Sequence, residues 1–428
     1  MNGGIGTQAQ RCLLGVALCG LGLSAFGCND SDPGTEGGTG AAIQTGGQLG
    51  SGGATGRGGT SVSGGTEPTG GVPGSGGTLG SGGVSGGTGG TAGSEYVVAM
   101  LQSSREQATD LTMSDVAELV GSAVSRAGGL DFIEDGQTVV LKPNLPTFYV
   151  DAGTTLASPT ASGTVTDWRV TKAVADLVRA KNPTGQILVM EGSILPTSRV
   201  YALLEYTPDS FGASVDDFIA LEGTACDDAS TTELEQRTAL SGNQYWVNGR
   251  YLAADVVIAI PTLATDAWAG IGGAVESLGI GATPAGQYGS GDNRTDCIRA
   301  QIDRSSPQTM GEFIRDYYGI RPADFVVMDG LQGLQHGPIP AWDDSGTYDY
   351  QSSIMNMRLI LAGRNAVAVD TIAALVMKCD PKKVPYLTML EADGLGTTDE
   401  SNVTLVGSQV SEVAQPFASK QTDVCPGS

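Results

Sequence analysis

Histidine occurs once in the 428 residues, at position 336. A lone imidazole excludes a metal centre built from several histidines. Cations are scarce too: 23 Lys and Arg stand against 46 Asp and Glu, a formal charge of -23. Nucleic-acid binding needs a basic footprint, so that class is excluded, as is adsorption onto anionic headgroups. None of the seven cysteines forms a C-x-x-C pair, which removes the usual thiolate-metal and iron–sulfur spacings. From residue 94 onward there is no G-x-S-x-G, Walker A loop or H-E-x-x-H. These absences leave no expected cofactor and no expected metal site.

Glycine, by contrast, is abundant, 65 residues in all. Much of it lies in a tract between residues 28 and 93 that is almost wholly Gly, Ser and Thr. Such a tract cannot bury enough apolar surface to offset its ordering entropy, so it reads as a disordered tether. About 60 residues of this kind reach roughly 45 Å. Before it, residues 12–27 form an apolar stretch too short for a comfortable membrane span. It ends in "LSAFGC", which resembles the lipobox of bacterial lipoproteins; Cys28 is the position such proteins acylate, although Ala25 and Phe26 depart from the pattern. The expectation is a signal peptide over 1–27, a lipid anchor at Cys28 as the only membrane contact, and a bacterial envelope location, periplasmic or cell-surface. Plain secretion with cleavage near Ala25 is the alternative.

Residues 94–428 read as one α/β domain. "EYVVAML", "QTVVLK" and "QILVMEG" are apolar, strand-like runs. Between them lie helical patterns, one capped by Ser114 and ended by Gly128 and Gly129, another capped by Thr166. Strand–helix alternation with continuous apolar strands predicts a mostly parallel central sheet covered by helices on both faces. "ADVVIAIPT", "ADFVVMDG" and "NMRLILAG" extend it. Asn248-Gly249 in "YWVNGRYL" signals a small hairpin, and residues 201–241 an insert. "GIGGAVESLGIG" follows no strand, so it reads as the Gly-rich start of a small-residue helix rather than a dinucleotide loop. Four cysteines stay in the exported domain and allow three pairings; their positions favour Cys226 with Cys297 and Cys379 with Cys425.

The apolar runs end in polar residues: "VVLKPN", "ILVMEGS", "FVVMDGL", "LILAGRN". In open α/β sheets ligands bind beyond the carboxyl ends of the strands. Lys142, Asn144 and Arg364 are therefore candidate ligand-binding residues, suited to a small anion. Glu191, Asp329 and Asp370 are candidate acid–base groups, the last inside an apolar helix where a buried carboxylate needs a partner. His336, in a Gly- and Pro-rich loop, is the fourth catalytic candidate. Each has a plainer reading: Lys142 as a solvated strand end, Asn144 as a turn-former, Glu191-Gly192 and Asp329-Gly330 as turn dipeptides, Asn365 beside Arg364 as a helix cap, Asp370 as a partnered structural acid, His336 as a surface residue.

"VVLKPNL", "VVIAIPTL", "GGAVESLGIG", "FVVMDGLQGLQHGP" and "GRNAVAVDTIAALVMK" recur in that order in a known family. The chain resembles domain of unknown function 362 from about Val97 to Gly396. That family is in turn distantly similar to lactate-racemase-like proteins. The resemblance implies Lys-Thr-His where this chain has Ala264, Thr265 and Asp266, and Lys-Asn where it has Glu276 and Ser277. Two cations and a histidine are thus absent, with an acid in place of one cation; Arg299, Arg304 and Lys172 are possible substitutes. Two functional classes stand open: a tethered small-molecule receptor, and an enzyme on a small organic acid, isomerase- or oxidoreductase-like or metal-assisted through Glu191 and Asp329. For the leader, mass spectrometry of the exported protein is expected to give a lipid-shifted amino-terminal peptide beginning at Cys28; an unmodified peptide starting near residue 26 refutes the anchor.

Overall fold

The structure, a computed structural model, describes residues 96–146, 150–151, 154–155, 158–221, 233–289, 299, 301–341, 349–421 and 423–426. The signal, Cys28, the tether, Cys226 and Cys297 lie outside the described residues.

Helix α1 (Met113–Arg126) buries Val116, Val120, Ala123 and Val124, which recur at helical spacing. Thr112, rather than Ser114, caps it. The Thr112 side chain accepts from Asp115 N and the Asp115 carboxylate accepts from Thr112 N, a capping box that needs the acid three residues on. Gly128 and Gly129, at φ 101° and 73°, end the helix. Helix α2 (Trp168–Lys181) is capped by Asp167, one residue after the expected Thr166, because Asp167 accepts from Arg169 N.

Ten strands form one sheet. In chain order they are β1 (Tyr96–Gln102), β2 (Thr138–Pro143), β3 (Gln186–Glu191), β4 (Asp217–Ala220), β5 (Val256–Ile260), β6 (Thr262–Asp266), β7 (Gly270–Gly272), β8 (Phe325–Leu334), β9 (Ile354–Gly363) and β10 (Val403–Gly407). Their spatial order is β10-β1-β9-β8-β5-β2-β3-β4, with β6 beside the second half of β8 and β7 on β6. Most neighbours run parallel; β9 is antiparallel to both β8 and β1, and β7 to β6. The mostly parallel α/β sheet expected from the strand runs is therefore present.

Side chains alternate between two cores. Along β2, Val139 and Leu141 face the layer of α1 and α2, while Val140 faces the opposite layer. That opposite layer holds α4 (Ala274–Gly279), α5 (Pro307–Ile320), α6 (Ala366–Val376) and α7 (Pro385–Ala392). Each fully buried Val, Leu or Ile contributes about 1.5–3 kcal/mol relative to exposure. Among the described residues no helix is long and apolar enough to cross a membrane.

Two local expectations are corrected. Asn248-Gly249 is not a hairpin turn: Asn248 accepts from Arg250 N and Tyr251 N and caps a short helix, Gly249–Leu252. The hairpin is one segment earlier, pairing Leu234–Thr238 with Gln244–Asn248 around Gly242 at φ 90°. The second correction concerns Arg364. Gly363 pairs with Val326 and Val98, so the antiparallel β9 ends at the amino edge of β8. Arg364 is thereby carried to the sheet edge opposite Lys142, where it is exposed and stacks 4.0 Å from the Phe132 ring centroid. Of the expected disulfides, Cys379–Cys425 is formed.

Arg364→Ala is expected to cost about 0.5–1 kcal/mol from the lost ring contact and to leave ligand affinity at the opposite edge unchanged. Urea denaturation and calorimetric titration check both halves.

Candidate functional site

β2 and β3 are parallel neighbours, so their carboxyl ends emerge side by side. Lys142 is fully buried there, and its Nζ lies 2.7 Å from Glu191 Oε2. The ammonium also donates to Pro143 O at 2.8 Å, with Ser277 Oγ of α4 at 3.5 Å. The remaining capacity of Glu191 is taken by backbone: Leu145 N donates to Oε2 and Gly192 N to Oε1. Burial lowers the Lys142 pKa from the ordinary lysine value, opposed by the charge and hydrogen bond of Glu191. Lys142 is thus neither a solvated strand end nor an open anion hook; it is the charged floor of the rim.

Asn144 sits on the same edge. Its Nδ2 donates to Thr262 Oγ1 at 3.2 Å, and its backbone N to Thr166 Oγ1 at 2.9 Å. Asp329 shares the edge but points into the α1–α2 layer, as the alternation with Val327 and Leu331 requires. Its Oδ2 accepts from Asp167 N and its Oδ1 from Leu331 N. Burial and the nearby Asp167 charge push the Asp329 carboxyl up to about 7. Asp167 in turn is gripped by the Arg169 guanidinium at 2.6 Å. Asp329 therefore faces the layer opposite Lys142, and the oxygens of Glu191 and Asp329 are each engaged by donors within the protein. Among the described residues no three His, Cys, Asp or Glu side chains group as a metal site.

Asp370 lies in α6, as the sequence places it, but its role is local. Its two oxygens accept from Ala274 N and Val275 N at 2.7 and 3.0 Å, so it caps α4 from a neighbouring helix. Burial pushes this carboxyl up to about 7 against those two donors. Gly273 makes the approach possible: a Cβ there would fall 2.4 Å from the Asp370 carboxyl. Gly281 plays the same part for the floor, since a Cβ would fall 2.8 Å from Lys142 Nζ. His336 follows the end of β8 at φ 62°, held by donation of its backbone N to Ala418 O, and is half-buried.

The rim's open side is formed by Glu276 of α4 and Asp266 at the end of β6. Glu276 keeps partial solvent contact, and among the described residues its carboxyl makes no hydrogen bond. The protein around it still desolvates the carboxyl and, with the nearby Asp266 charge, pushes it up to about 8, against the pull of Lys142. Asp266 is buried, its carboxyl raised by burial and opposed by donations from Ala269 N and Trp268 N. Arg299 backs the floor; its guanidinium donates to the carbonyls of Ser193, Gly192 and Thr283. Lys172 stands elsewhere, paired with Asp176. Local pattern does not mark Asp167 as a site neighbour, because it reads as a helix start; Arg299, raised as a possible substitute cation, spends its guanidinium on backbone carbonyls.

This is an α/β protein whose polar rim lies at the carboxyl edge of its parallel strands. The chain belongs to the family described as Domain of unknown function (DUF362), whose model matches residues 139–375. No curated protein matches it. Among solved structures it is similar to the lactate racemase apoprotein from Thermoanaerobacterium thermosaccharolyticum, at 12% identity and a TM-score of 0.32. That likeness covers 63% of this chain and 54% of the other, so this chain spans about half its length.

Glu191→Gln is expected to destabilise the protein by roughly 3–5 kcal/mol, because it leaves the buried Lys142 charge uncompensated. The double change Lys142→Met with Glu191→Gln recovers part of that loss. Urea unfolding of the three variants checks it; equal stability of the single and parent proteins would refute the coupling.

Proposed function

We propose that the rim binds a small organic acid, with Glu276 as the group that meets it. The observation that carries this reading is Glu276 itself. It is the rim carboxyl that keeps solvent contact while making no hydrogen bond among the described residues. Pushed up to about 8, it is mostly neutral at pH 7, and a neutral carboxyl donates a hydrogen bond to a carboxylate. Lys142 contributes its field from beneath rather than direct contact, since it is fully buried and already paired.

The same carboxyl favours a second reading, an enzyme that moves a proton on such an acid. General acid–base catalysis works best when the pKa lies near the working pH, and about 8 meets that condition. The receptor reading predicts a bound molecule that is never turned over; the enzyme reading predicts isotope exchange from solvent into the ligand. The leader and tether support placing this site at a bacterial envelope, on a lipid anchor at Cys28, clear of the surface.

The pH dependence has a definite sign. Below about pH 8 the neutral Glu276 accommodates the anion; above it the ionised carboxylate repels it. Affinity for a small carboxylate is therefore expected to fall about tenfold per pH unit above 8. Glu276→Gln keeps a neutral donor and should abolish that fall while retaining binding at pH 7. Calorimetric titration between pH 6 and 10 tests this; a pH-independent affinity in the parent protein sinks the assignment.

A further inference from the structure

We propose that Trp268, Arg304 and Lys420 form the mouth of this rim and select an aromatic or conjugated organic acid over an aliphatic one. The inference rests on the organic-acid reading and narrows it to one substrate class. Trp268 is 42% exposed, so part of its indole is open to a docking ring. It is not a loose side chain on a loose turn. Trp268 N donates to Asp266 Oδ1 at 2.7 Å, and Trp268 O accepts from Gln421 Nε2 at 2.6 Å. The turn is thus clamped from both sides, and a ring docking against it meets a surface with little backbone freedom left to lose.

One cation stands over that indole, and a second, Lys420, precedes Gln421, whose amide clamps the turn. The Arg304 guanidinium lies 5.7 Å from the Trp268 ring centroid, held by donation to Arg299 O at 2.8 Å. Among the described residues it pairs with no carboxylate within ion-pair distance. Lys420 is exposed and makes no hydrogen bond or ion pair among the described residues. It arrives on a carboxyl-terminal strap that docks through Thr265 Oγ1 and His336 N, both donating to Ala418 O, and that the Cys379–Cys425 disulfide ties down. Both cations act on Asp266, and Asp266 acts on Glu276, so the mouth and the rim carboxyl are one electrostatic neighbourhood.

The chemistry follows. Two cations against one strongly desolvated acid leave a positive spot on a chain of charge -23. In this proposal the ligand's carboxylate is drawn by the Arg304 and Lys420 charges, which act on Asp266, toward Glu276 beyond it. A flat π-system attached to it lies against the indole, adding stacking that an alkyl chain of equal size does not match. Removing either cation weakens every carboxylate alike, whereas removing the indole face weakens the flat ones most.

The test uses the full-length protein, with 4-hydroxybenzoate and butyrate as probes, read by calorimetry and by the 13C carboxyl signal of Glu276. The aromatic acid is expected to bind about tenfold more tightly. Trp268→Leu should erase that preference, weakening the aromatic acid about tenfold more than butyrate; Arg304→Gln and Lys420→Gln should each weaken both acids about five- to twentyfold. If both acids move the Glu276 signal but bind equally, or Trp268→Leu leaves the preference intact, the mouth inference is overturned and the rim reading stands. If neither acid moves the Glu276 signal, the rim reading falls and the inference with it.

Discussion

A buried ammonium is tolerable only where a carboxylate and further acceptors replace the water it has lost. Lys142 meets that condition at the carboxyl edge of the sheet, where Glu191, Pro143 O and Ser277 converge on it. Those partners come from β2, β3 and α4, elements far apart in the chain. The pair therefore ties strand register to helix position: a slip of either strand would draw the two charges apart and leave each alone in low dielectric. Gly281 belongs to the same constraint, because any side chain there would occupy the space of the ammonium.

The α4 segment turns this local requirement into a site. Asp370 holds its amino end through two backbone donors, and Gly273 leaves room for that contact. With the helix start fixed, Ser277 faces Lys142 and Glu276 faces the opening. The carboxyl of Glu276 is raised by burial and by Asp266, which is itself fixed by the turn through Trp268 and Ala269. Acids that would repel one another in isolation are engaged by backbone donors at Asp370 and Asp266, and Glu276 alone of the three keeps partial solvent contact.

The strand-end position of several polar residues was legible before any coordinates, and for a physical reason. Apolar β-branched runs ending in Lys, Glu or Asp place those groups at a sheet edge, and Lys142, Asn144, Glu191 and Asp329 do stand on one edge. Which side of the sheet each faces was not legible. Asp329 turns toward α2 and Lys142 toward α4, so they line two environments rather than one. Arg364 was misplaced because an apolar run reads the same in either direction, and β9 runs antiparallel. The hairpin signal at Asn248-Gly249 failed for a related reason: an Asn that can turn a hairpin can equally cap a helix, and the packing of Tyr251 decides for the cap.

Residue order alone determined the alternating α/β architecture, the strand-end position of the polar groups, the absence of a His-rich or C-x-x-C metal site, and the tether-like composition ahead of residue 94. These depend on local periodicity and residue chemistry, which the chain carries in itself. Tertiary structure decided strand direction, the pairing of Lys142 with Glu191, the cross-helix cap by Asp370, and the approach of Arg304 to Trp268. Each of those joins residues tens to more than a hundred positions apart, and only burial in a common low-dielectric space selects among the partners that local pattern leaves equivalent.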